Sequence, residues 1–277
     1  MTEVSFQIGK RQFNSQDFFL IAGPCVLEES QIGYEIACAV KEIAGRFNVP
    51  VIFKASYTKA NRTSKDGYRG VGPKKGLAQL ARIQAELDLP VLSDVHSEAE
   101  VLQAAEVLDV LQIPAFLCRQ TELLEAAADT GKAINIKKGQ FMAPWDMKHA
   151  VDKVVAMGNE RIFLTERGAM FGYNNLVVDI RSFPIMSRFG CLVVFDGTHS
   201  TQLPGGGKGE TAGQREMIPY LVRAAVAAGC HGLFLEVHPE PLKSPSDRES
   251  ILPLKDLAGL LEEALAIRKA LRQSSKA

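Results

Sequence analysis

The sequence has no net charge and no long apolar run, and each absence excludes a class of protein. Its 32 basic residues balance its 32 acidic residues, so no overall electrostatic attraction to nucleic acid or to a membrane is expected. No apolar stretch approaches the roughly 18 residues that a membrane-spanning helix needs. The first thirteen residues, MTEVSFQIGKRQF, also lack a long apolar run, which predicts that no signal peptide is present.

Cysteine is scarce, and its pattern excludes a disulfide framework. The five cysteines are odd in number, widely spaced and without a CxxC motif: Cys25, Cys38, Cys118, Cys191 and Cys230. This pattern is typical of free thiols in a reducing compartment, so a cytoplasmic protein is expected. Four of the five are predicted to be small buried apolar side chains. Cys25, in a GPC turn, is the exception and a candidate metal ligand.

Eight short apolar runs alternate with amphipathic segments. The runs are residues 18–23, 51–55, 91–95, 110–114, 134–138, 162–166, 192–196 and 233–237. Most are apolar at consecutive positions, as in strands that are buried on both faces. Helical periodicity covers about 29–45, 75–87, 97–107, 119–130, 146–157, 213–229 and 255–271, whereas residues 176–190 are ambiguous.

Eight strand–helix units predict an α/β fold, a single-domain (β/α)8 TIM barrel over residues 1–277. A doubly wound open sheet is the alternative, but it usually carries a GxGxxG motif after its first strand, where this chain has GPC. Residues 4–14 predict an N-terminal β-hairpin that closes the bottom of the barrel. The glycine-rich residues 205–210 predict either a mobile active-site loop or an ordinary surface loop.

Local signals place several helix ends. The string SEAE at 97–100 predicts an N-cap serine with an acidic residue at the third helical position, which is a capping box. Gly131, Gly158 and Gly229 follow helical patterns and are predicted C-caps.

Polar residues mark the carboxyl ends of all eight runs, where barrel enzymes carry their active sites. In chain order they are Cys25, Lys54, Asp94 with His96, Gln112, Lys137, Glu166 with Arg167, Asp196 with His199, and Glu236 with His238. Any one of them could be a structural ion pair or a solvated residue at the rim. The complete series predicts a functional site, because burying such groups without ligands or partners is costly.

The basic residues near these ends fall into two sets. The first set ends strands or follows the fourth strand, and should meet inside the mouth of the barrel: Lys54, Lys137, Arg167 and Arg119. The second set, Lys59 and Arg62, lies farther out on a loop. Lysine and arginine hold phosphate and carboxylate groups through charge-assisted hydrogen bonds. Two sets therefore predict two anionic groups that are held apart.

A thiol, an imidazole and carboxylates form a second candidate constellation. Cys25, His199 and Glu236 follow strands one, seven and eight, which are neighbours in a closed barrel, and Asp247 is a possible fourth member. Such ligands are suited to a divalent metal ion. The alternatives are a small buried residue in a tight turn for Cys25, and a hydrogen bond to phosphate or hydroxyl for His199.

Several strings resemble one enzyme family. In chain order they are IAGPCVLEES, FKASYTKANRTS, SDVH, PAFLCRQTELL, INIKKGQF, TERGAMFGYNNLVVDIRS, FDGTHSTQLPGG and LFLEVHPEP. They are similar to the 3-deoxy-D-manno-octulosonate 8-phosphate synthases over about residues 4 to 270. That family condenses phosphoenolpyruvate with D-arabinose 5-phosphate and water, releases inorganic phosphate, and serves lipopolysaccharide biosynthesis.

Two alternatives to this function remain. The related 3-deoxy-D-arabino-heptulosonate 7-phosphate synthases use erythrose 4-phosphate, and they typically have Pro-Arg-Thr-Ser where this chain has Lys59-Ala60-Asn61-Arg62-Thr63-Ser64. A barrel that binds sugar phosphates without turnover is the other, although it would be expected to lose its metal-binding and acidic residues. The chain departs from the family pattern at Thr58, at Gly197 and in residues 69–77, which affects details of substrate contacts.

The resemblance implies a role for each candidate residue. The implied catalytic residues are Lys54, Asp94, Lys137, Asp196, His199 and Glu236. The implied substrate-binding residues are Lys59, Asn61, Arg62, Ser64, Gln112, Arg119, Lys137, Arg167 and Gln202. A homotetramer that acts on phosphoenolpyruvate and D-arabinose 5-phosphate is implied, without nucleic-acid or membrane partners.

The resemblance also implies a metal ion. Cysteine in the first GP turn marks the metal-dependent class of the family, whereas the other class has asparagine there. The implied ligands are Cys25, His199, Glu236 and Asp247, with Glu249 close to the last of these. Cysteine, histidine and carboxylate ligands admit Zn²⁺, Fe²⁺, Mn²⁺ or Co²⁺.

Overall fold

Residues 3–62, 65, 67–206 and 212–274 are described by the structure, which is a computed structural model. Their strands, in chain order, are β1 (Ser5–Ile8), β2 (Arg11–Asn14), β3 (Phe19–Gly23), β4 (Val51–Lys54), β5 (Val91–Asp94), β6 (Val110–Ile113), β7 (Ala133–Lys137), β8 (Ile162–Glu166), β9 (Ala169–Met170), β10 (Leu176–Val177), β11 (Leu192–Asp196), β12 (Gln202–Leu203), β13 (Ala212–Gly213), β14 (Gly232–His238) and β15 (Leu252–Pro253). The helices are α1 (Ile32–Arg46), α2 (Pro73–Leu87), α3 (Glu98–Ala105), α4 (Thr121–Asp129), α5 (Met147–Ala156), α6 (Ser182–Met186), α7 (Ile218–Ala227) and α8 (Leu257–Ser274).

Eight parallel strands close into a barrel. Strands β3 to β8 pair in sequence, β8 pairs with β11, and β14 pairs with both β11 and β3. Because β14 joins the two ends of the sheet, the predicted (β/α)8 barrel is confirmed and the open sheet is excluded. Each predicted helical segment contains a helix, and the ambiguous residues 176–190 contain α6 and the short 3-10 helix Ser187–Phe189.

The predicted helix ends are largely confirmed. The Ser97 hydroxyl accepts a hydrogen bond of 3.3 Å from the Glu100 amide, as an N-cap does. The Glu100 carboxylate reaches back to the His96 amide instead of the Ser97 amide, so the capping box is shifted by one residue. Gly131, Gly158 and Gly229 have φ values of 66°, 81° and 93°, the left-handed conformation of a C-cap. Of the glycine-rich residues 205–210, those from 207 onward lie outside the described residues.

The hairpin of β1 and β2 closes the bottom of the barrel, as predicted. Its two strands are antiparallel, with Phe6 opposite Phe13. Both rings pack edge-on against Phe163 of β8, at centroid distances of 5.1 and 6.1 Å, and Phe19 of β3 joins them. These side chains belong to the apolar cluster that fills the lower barrel.

Polarity inside the barrel increases toward the carboxyl ends of the strands. Above the apolar cluster, Asn135 donates a hydrogen bond of 3.0 Å to Gln112, and Thr165 donates one of 2.6 Å to Asn135. Because alternate side chains of a strand face the same side, positions two residues beyond an inward apolar or polar residue again face inward. In this way Lys137 follows Asn135, and Glu236 follows Phe234.

The described helices include none that is long and apolar enough to cross a membrane.

The aromatic contacts at the bottom predict a large contribution of Phe163 to stability. Phe163 is fully buried, and Phe163→Ala is expected to lower the free energy of unfolding by about 3–5 kcal/mol, because it removes a buried ring and leaves a cavity. Urea titration followed by circular dichroism measures this change. The control is Leu102→Ala, since Leu102 is 68% exposed, and a change within about 0.5 kcal/mol is expected. Equal losses in the two variants would contradict the prediction.

Candidate active site

A cavity of about 380 Å³ lies at the carboxyl ends of the strands. The residues that line it are Lys54, Ser56, Lys59, Ala60, Asn61, Asp94, His96, Gln112, Pro114, Ala115, Phe116, Leu117, Lys137, Gln140, Arg167, His199 and Glu236. Among these described residues, four cationic side chains face two carboxylates, and two histidines lie between them. The cavity is therefore suited to anionic ligands.

The ammonium groups of two buried lysines of the cavity lie over one aromatic ring of the barrel interior. The ammonium groups of Lys54 and Lys137 lie 5.6 and 3.6 Å from the centroid of the Phe234 ring. Lys54 donates a hydrogen bond of 2.5 Å to Glu236, and Lys137 donates one to Asp196. Each lysine is thus neutralised by a carboxylate that reaches it across the barrel interior.

Burial governs the ionisation of these pairs. It lowers the pKa of Lys137 to about 8, and the charge of Asp196 offsets only part of this effect. Burial opposes ionisation of Asp196 and Glu236 as well. However, His199 with Lys137 holds the pKa of Asp196 well below its usual range, and Lys54 with His199 does the same for Glu236. Both carboxylates are therefore anionic near neutral pH.

His96 joins two carboxylates at one side of the cavity. Its Nε2 lies 3.1 Å from Asp94, and its Nδ1 lies 3.2 Å from Glu100. Burial alone would lower the pKa of His96, but the hydrogen bonds to Asp94 and Glu100 raise it to about 9. The imidazole is therefore protonated near neutral pH, and it fixes the Asp94 carboxylate at the cavity wall.

Several buried polar atoms on the cavity wall have no hydrogen-bond partner among the described residues. They include Arg167 Nη1, Gln140 Oε1, Asp94 Oδ1 and Ser56 Oγ. Buried polar atoms are almost always paired in folded proteins. A guanidinium nitrogen in this state marks the place where an anionic group of a ligand is expected.

Cys25, Glu236 and Asp247 form a candidate metal centre. One donor atom from each lies within 4.8 Å of the other two, and the Cys25 thiol donates to Asp247 at 3.1 Å. His199 is not part of this group, although its Nε2 lies 3.6 Å from Glu236 Oε1. Sulfur and oxygen donors with an adjacent imidazole nitrogen fit a divalent transition metal, so the residues fit the implied ion.

The close approach of two strands fixes the turn that carries Cys25. A Cβ atom at Gly23 would lie 2.0 Å from the carbonyl oxygen of Lys54, which no side chain tolerates. Lys54 also donates a hydrogen bond of 2.9 Å to the carbonyl of Cys25. Glycine at position 23 therefore brings the candidate metal centre and the cationic cavity into contact.

The structure does not bring every predicted residue into the cavity. Arg62 is half-buried, and it donates to Ser246 at 2.5 Å and lies 3.8 Å from Asp247. Arg119 is exposed and is not among the lining residues. Ser64 lies outside the described residues.

Glu166 and His238 lie at strand ends but are not among the residues that line the cavity. Glu166 accepts a hydrogen bond of 2.6 Å from the Gly168 amide and lies 3.5 Å from Lys138. His238 lies 3.8 Å from Glu28. The contact of Glu166 with Lys138 is a structural ion pair of the kind that the sequence left open as an alternative. Glu249 is not part of the candidate metal centre, and its carboxylate accepts from the Gly213 amide.

Sequence reasoning did not single out Gln140 and Phe234. Gln140 lies within the string INIKKGQF, but it follows a strand by three residues, so strand-end position gave no signal. Phe234 was part of an apolar run, and only its place two residues before Glu236 marks it as an inward-facing residue beneath the cavity lysines.

Comparison with known proteins agrees with this geometry. Residues 2–273 match the family model described as the DAHP synthetase I family. The chain belongs to this family. A member named 2-dehydro-3-deoxyphosphooctonate aldolase, from Geobacter metallireducens, is 59% identical over 253 residues, which cover 91% of this chain and 93% of the relative. A relative of the same name from Desulfotalea psychrophila is 52% identical over 260 residues, which cover 94% and 93% of the two chains.

The contacts of His96 predict a pH-dependent contribution to stability. Because the pKa of about 9 in the folded state exceeds the ordinary value of 6.5, this contribution is complete below pH 6.5 and is lost as the pH rises through 9. Its size is on the order of 3 kcal/mol. Urea titrations measure the unfolding free energies of the wild type and of His96→Gln at about pH 6 and about pH 10. The difference between the two proteins is expected to be smaller at about pH 10 than at about pH 6. His149→Gln, at an exposed position of α5, is the control, and a difference for His96→Gln that is constant with pH would refute the interpretation.

Proposed function

We propose that this chain is a metal-dependent 3-deoxy-D-manno-octulosonate 8-phosphate synthase. It condenses phosphoenolpyruvate with D-arabinose 5-phosphate and water, and it releases inorganic phosphate. The observation that carries this proposal is the cavity in which four cationic side chains converge beside Cys25, Glu236 and Asp247. The names of the relatives, which are 59% and 52% identical to this chain, support the same substrate class.

Phosphoenolpyruvate binds at the floor of the cavity. Its phosphate and carboxylate are held by Lys54, Lys137 and Arg167, and the unpartnered Nη1 of Arg167 supplies a further hydrogen bond. The cationic side chains on the cavity wall come from different strands, so they can bind two anionic groups of one ligand at separate positions. Arg119, which is exposed in the structure, stays a prediction as a further ligand of this substrate.

D-arabinose 5-phosphate binds toward the rim. Asn61, Arg62 and Ser64 hold its phosphate, with Lys59 between the two substrates. Lys59 lies 3.8 Å from Glu236 and lines the cavity together with Asn61. Because Arg62 also reaches Ser246 and Asp247, binding of the sugar phosphate exchanges these contacts for contacts with the phosphate.

The residues that bind the two substrates place the C1 aldehyde of the sugar against C3 of the enol. Such pre-ordering of two reactants contributes about 7–11 kcal/mol to lowering a barrier. The enol carbon attacks the aldehyde, and the cationic side chains stabilise the negative charge that develops on the aldehyde oxygen. Water then adds at C2, and the resulting hemiketal phosphate loses phosphate by cleavage of its carbon–oxygen bond.

We assign proton transfer to titratable groups in and beside the cavity. Asp94, with Oδ1 unpartnered and Oδ2 held by His96, accepts from a sugar hydroxyl. Asp196, His199 and Glu236 form the other candidate relay, because His199 lies 2.8 Å from Asp196 and 3.6 Å from Glu236.

Cys25, Asp247, Glu236 and His199 are the residues that would hold the metal ion. When bound, the ion supplies Lewis-acid chemistry for the sugar aldehyde or for the attacking water. The donor set admits Zn²⁺, Fe²⁺, Mn²⁺ or Co²⁺.

A cytoplasmic homotetramer completes the proposal. Large exposed aromatic side chains support an interface between copies, namely Phe116, Phe141, Trp145, Phe171 and Tyr173. Exposed apolar surface of this kind often marks a protein–protein contact. Sedimentation equilibrium would contradict the tetramer by returning the mass of a single chain.

A comparison of two sugar phosphates tests the proposed function. With phosphoenolpyruvate and a divalent metal ion supplied, rapid phosphate release is expected with D-arabinose 5-phosphate and little with erythrose 4-phosphate. The reason is that Asn61, an additional residue relative to the Pro-Arg-Thr-Ser loop of the heptulosonate synthases, suits a five-carbon sugar phosphate. The assay measures inorganic phosphate over time. Faster release with erythrose 4-phosphate would identify a heptulosonate synthase, and no release with either sugar would identify a non-catalytic binder.

The candidate metal centre predicts a loss of metal in Cys25→Asn, because the substitution removes the only sulfur donor of the group Cys25, Glu236 and Asp247. Elemental analysis after dialysis is expected to find about one equivalent in the wild type, as in a closed mononuclear site, and a small fraction of that in the variant. Cys38→Asn is the matched control, because Cys38 is an exposed free cysteine on α1. Its predicted burial was therefore wrong, whereas that of Cys118, Cys191 and Cys230 is confirmed. Retention of a full equivalent by Cys25→Asn would eliminate this ligand set.

A further inference from the structure

Gln202 lies between the candidate metal centre and the cationic cavity. Its side-chain nitrogen donates a hydrogen bond of 2.9 Å to Asp247 Oδ1. Its side-chain oxygen accepts one of 2.7 Å from Arg167 Nη2. One amide therefore contacts both a proposed metal ligand and a proposed ligand of phosphoenolpyruvate.

Only a group with both a donor and an acceptor can make these two contacts. A guanidinium carries donors and no acceptor, whereas an ionised carboxylate carries acceptors and no donor. Glutamine supplies one of each at the end of a long side chain. Glutamate would accept from Arg167 but repel Asp247, and an apolar side chain of the same length would do neither.

The backbone holds Gln202 in place for this role. Strand β12 pairs with β13 so that Gln202 lies opposite Gly213, and the Gln214 amide donates to the carbonyl of Thr201 at 2.9 Å. The Gln202 side chain is buried. Its amide is therefore fixed before any ligand arrives.

The two contacts also decide which atoms stay available. On Asp247, Gln202 donates to Oδ1, whereas Oδ2 accepts from the Cys25 thiol at 3.1 Å and from the Ser246 hydroxyl at 2.7 Å. On Arg167, Gln202 takes Nη2, whereas Nη1 is buried and has no partner among the described residues. Asp247 Oδ2 is thus left beside the candidate metal ligand Cys25, and the unpartnered nitrogen of Arg167 is left for an anion.

We infer that Gln202 is a positioning residue that orients Asp247 toward the metal ion and Arg167 toward phosphoenolpyruvate, an inference that rests on the proposed function. Partners that orient metal ligands typically contribute 10- to 100-fold to metal affinity. Gln202 was predicted to bind substrate directly, and in the structure both polar atoms of its amide form hydrogen bonds with protein side chains. One side chain thus prepares two binding sites.

The test measures the two affinities separately in Gln202→Met, which keeps the length of the side chain and removes the amide. In chelator-treated protein without substrate, competition with a chromophoric chelator measures Mn²⁺ binding, and affinity is expected to fall about 10- to 100-fold. In the same protein without metal, calorimetry measures phosphoenolpyruvate binding, and affinity is expected to fall about tenfold, the equivalent of one charge-assisted hydrogen bond. Gln84→Met is the matched control, because the Gln84 amide also donates to a carboxylate, that of Asp109, outside the cavity.

Each outcome decides the inference. The inference is supported if Gln202→Met loses affinity for both Mn²⁺ and phosphoenolpyruvate at an unchanged melting temperature, while Gln84→Met behaves like the wild type. Loss of phosphoenolpyruvate affinity alone would mean a direct substrate ligand, and loss of melting temperature alone would mean a structural residue; either overturns it. If Gln202→Met does not fold, Gln202→Asn is judged by the same criteria, because its shorter amide cannot span both partners. A wild type that binds neither Mn²⁺ nor phosphoenolpyruvate would overturn the proposed function itself.

Discussion

The site depends on the pairing of buried lysines with buried carboxylates inside a closed barrel. Lys54 is held by Glu236, and Lys137 is held by Asp196, and all four side chains are almost fully buried. Removing one partner of such a pair typically costs about 3–5 kcal/mol, because an uncompensated charge is left in a medium of low dielectric constant. The pairs therefore keep cationic groups inside the protein and leave them within reach of an anionic substrate.

The alternation of side chains along each strand explains how these charges meet. Five side chains of the barrel interior lie two residues beyond an inward-facing residue of the same strand: Lys54, Asp94, Lys137, Asp196 and Glu236. Below them, Gln112, Asn135 and Thr165 form hydrogen bonds, and the apolar cluster lies below that layer. The gradient from apolar to charged places the reactive groups at the end that opens to substrate and gives the barrel a stable base.

The fold and much of the site could be predicted from the sequence because both follow short-range patterns. Consecutive apolar runs indicated buried parallel strands, and the end of each run located Lys54, Lys137 and Glu236. The same reasoning misassigned Glu166, which follows the inward-facing Thr165 by one residue and so points outward to Lys138. Applying the two-residue alternation strictly would have separated Glu166 from Arg167.

Contacts between distant loops could not be predicted in this way. Arg62 reaches Ser246 and Asp247, which are more than 180 residues away along the chain, and no local pattern encodes such a distance. Gln202 meets Asp247 across 45 residues for the same reason. The position of Arg119 also depends on the path of a loop after its strand, and the structure leaves this residue exposed.

Gly23 gives the site a component that does not depend on charge. The backbone of β3 touches the carbonyl of Lys54 where any side chain would collide, so hard-sphere contact sets the spacing between the Cys25 turn and the end of β4. Salt screens exposed charges, and proton concentration alters ionisation, but neither changes the size of an atom. The backbone framework that joins the two halves of the site should thus keep its dimensions in solutions of very different ionic strength, whereas the affinity of the site for anions changes.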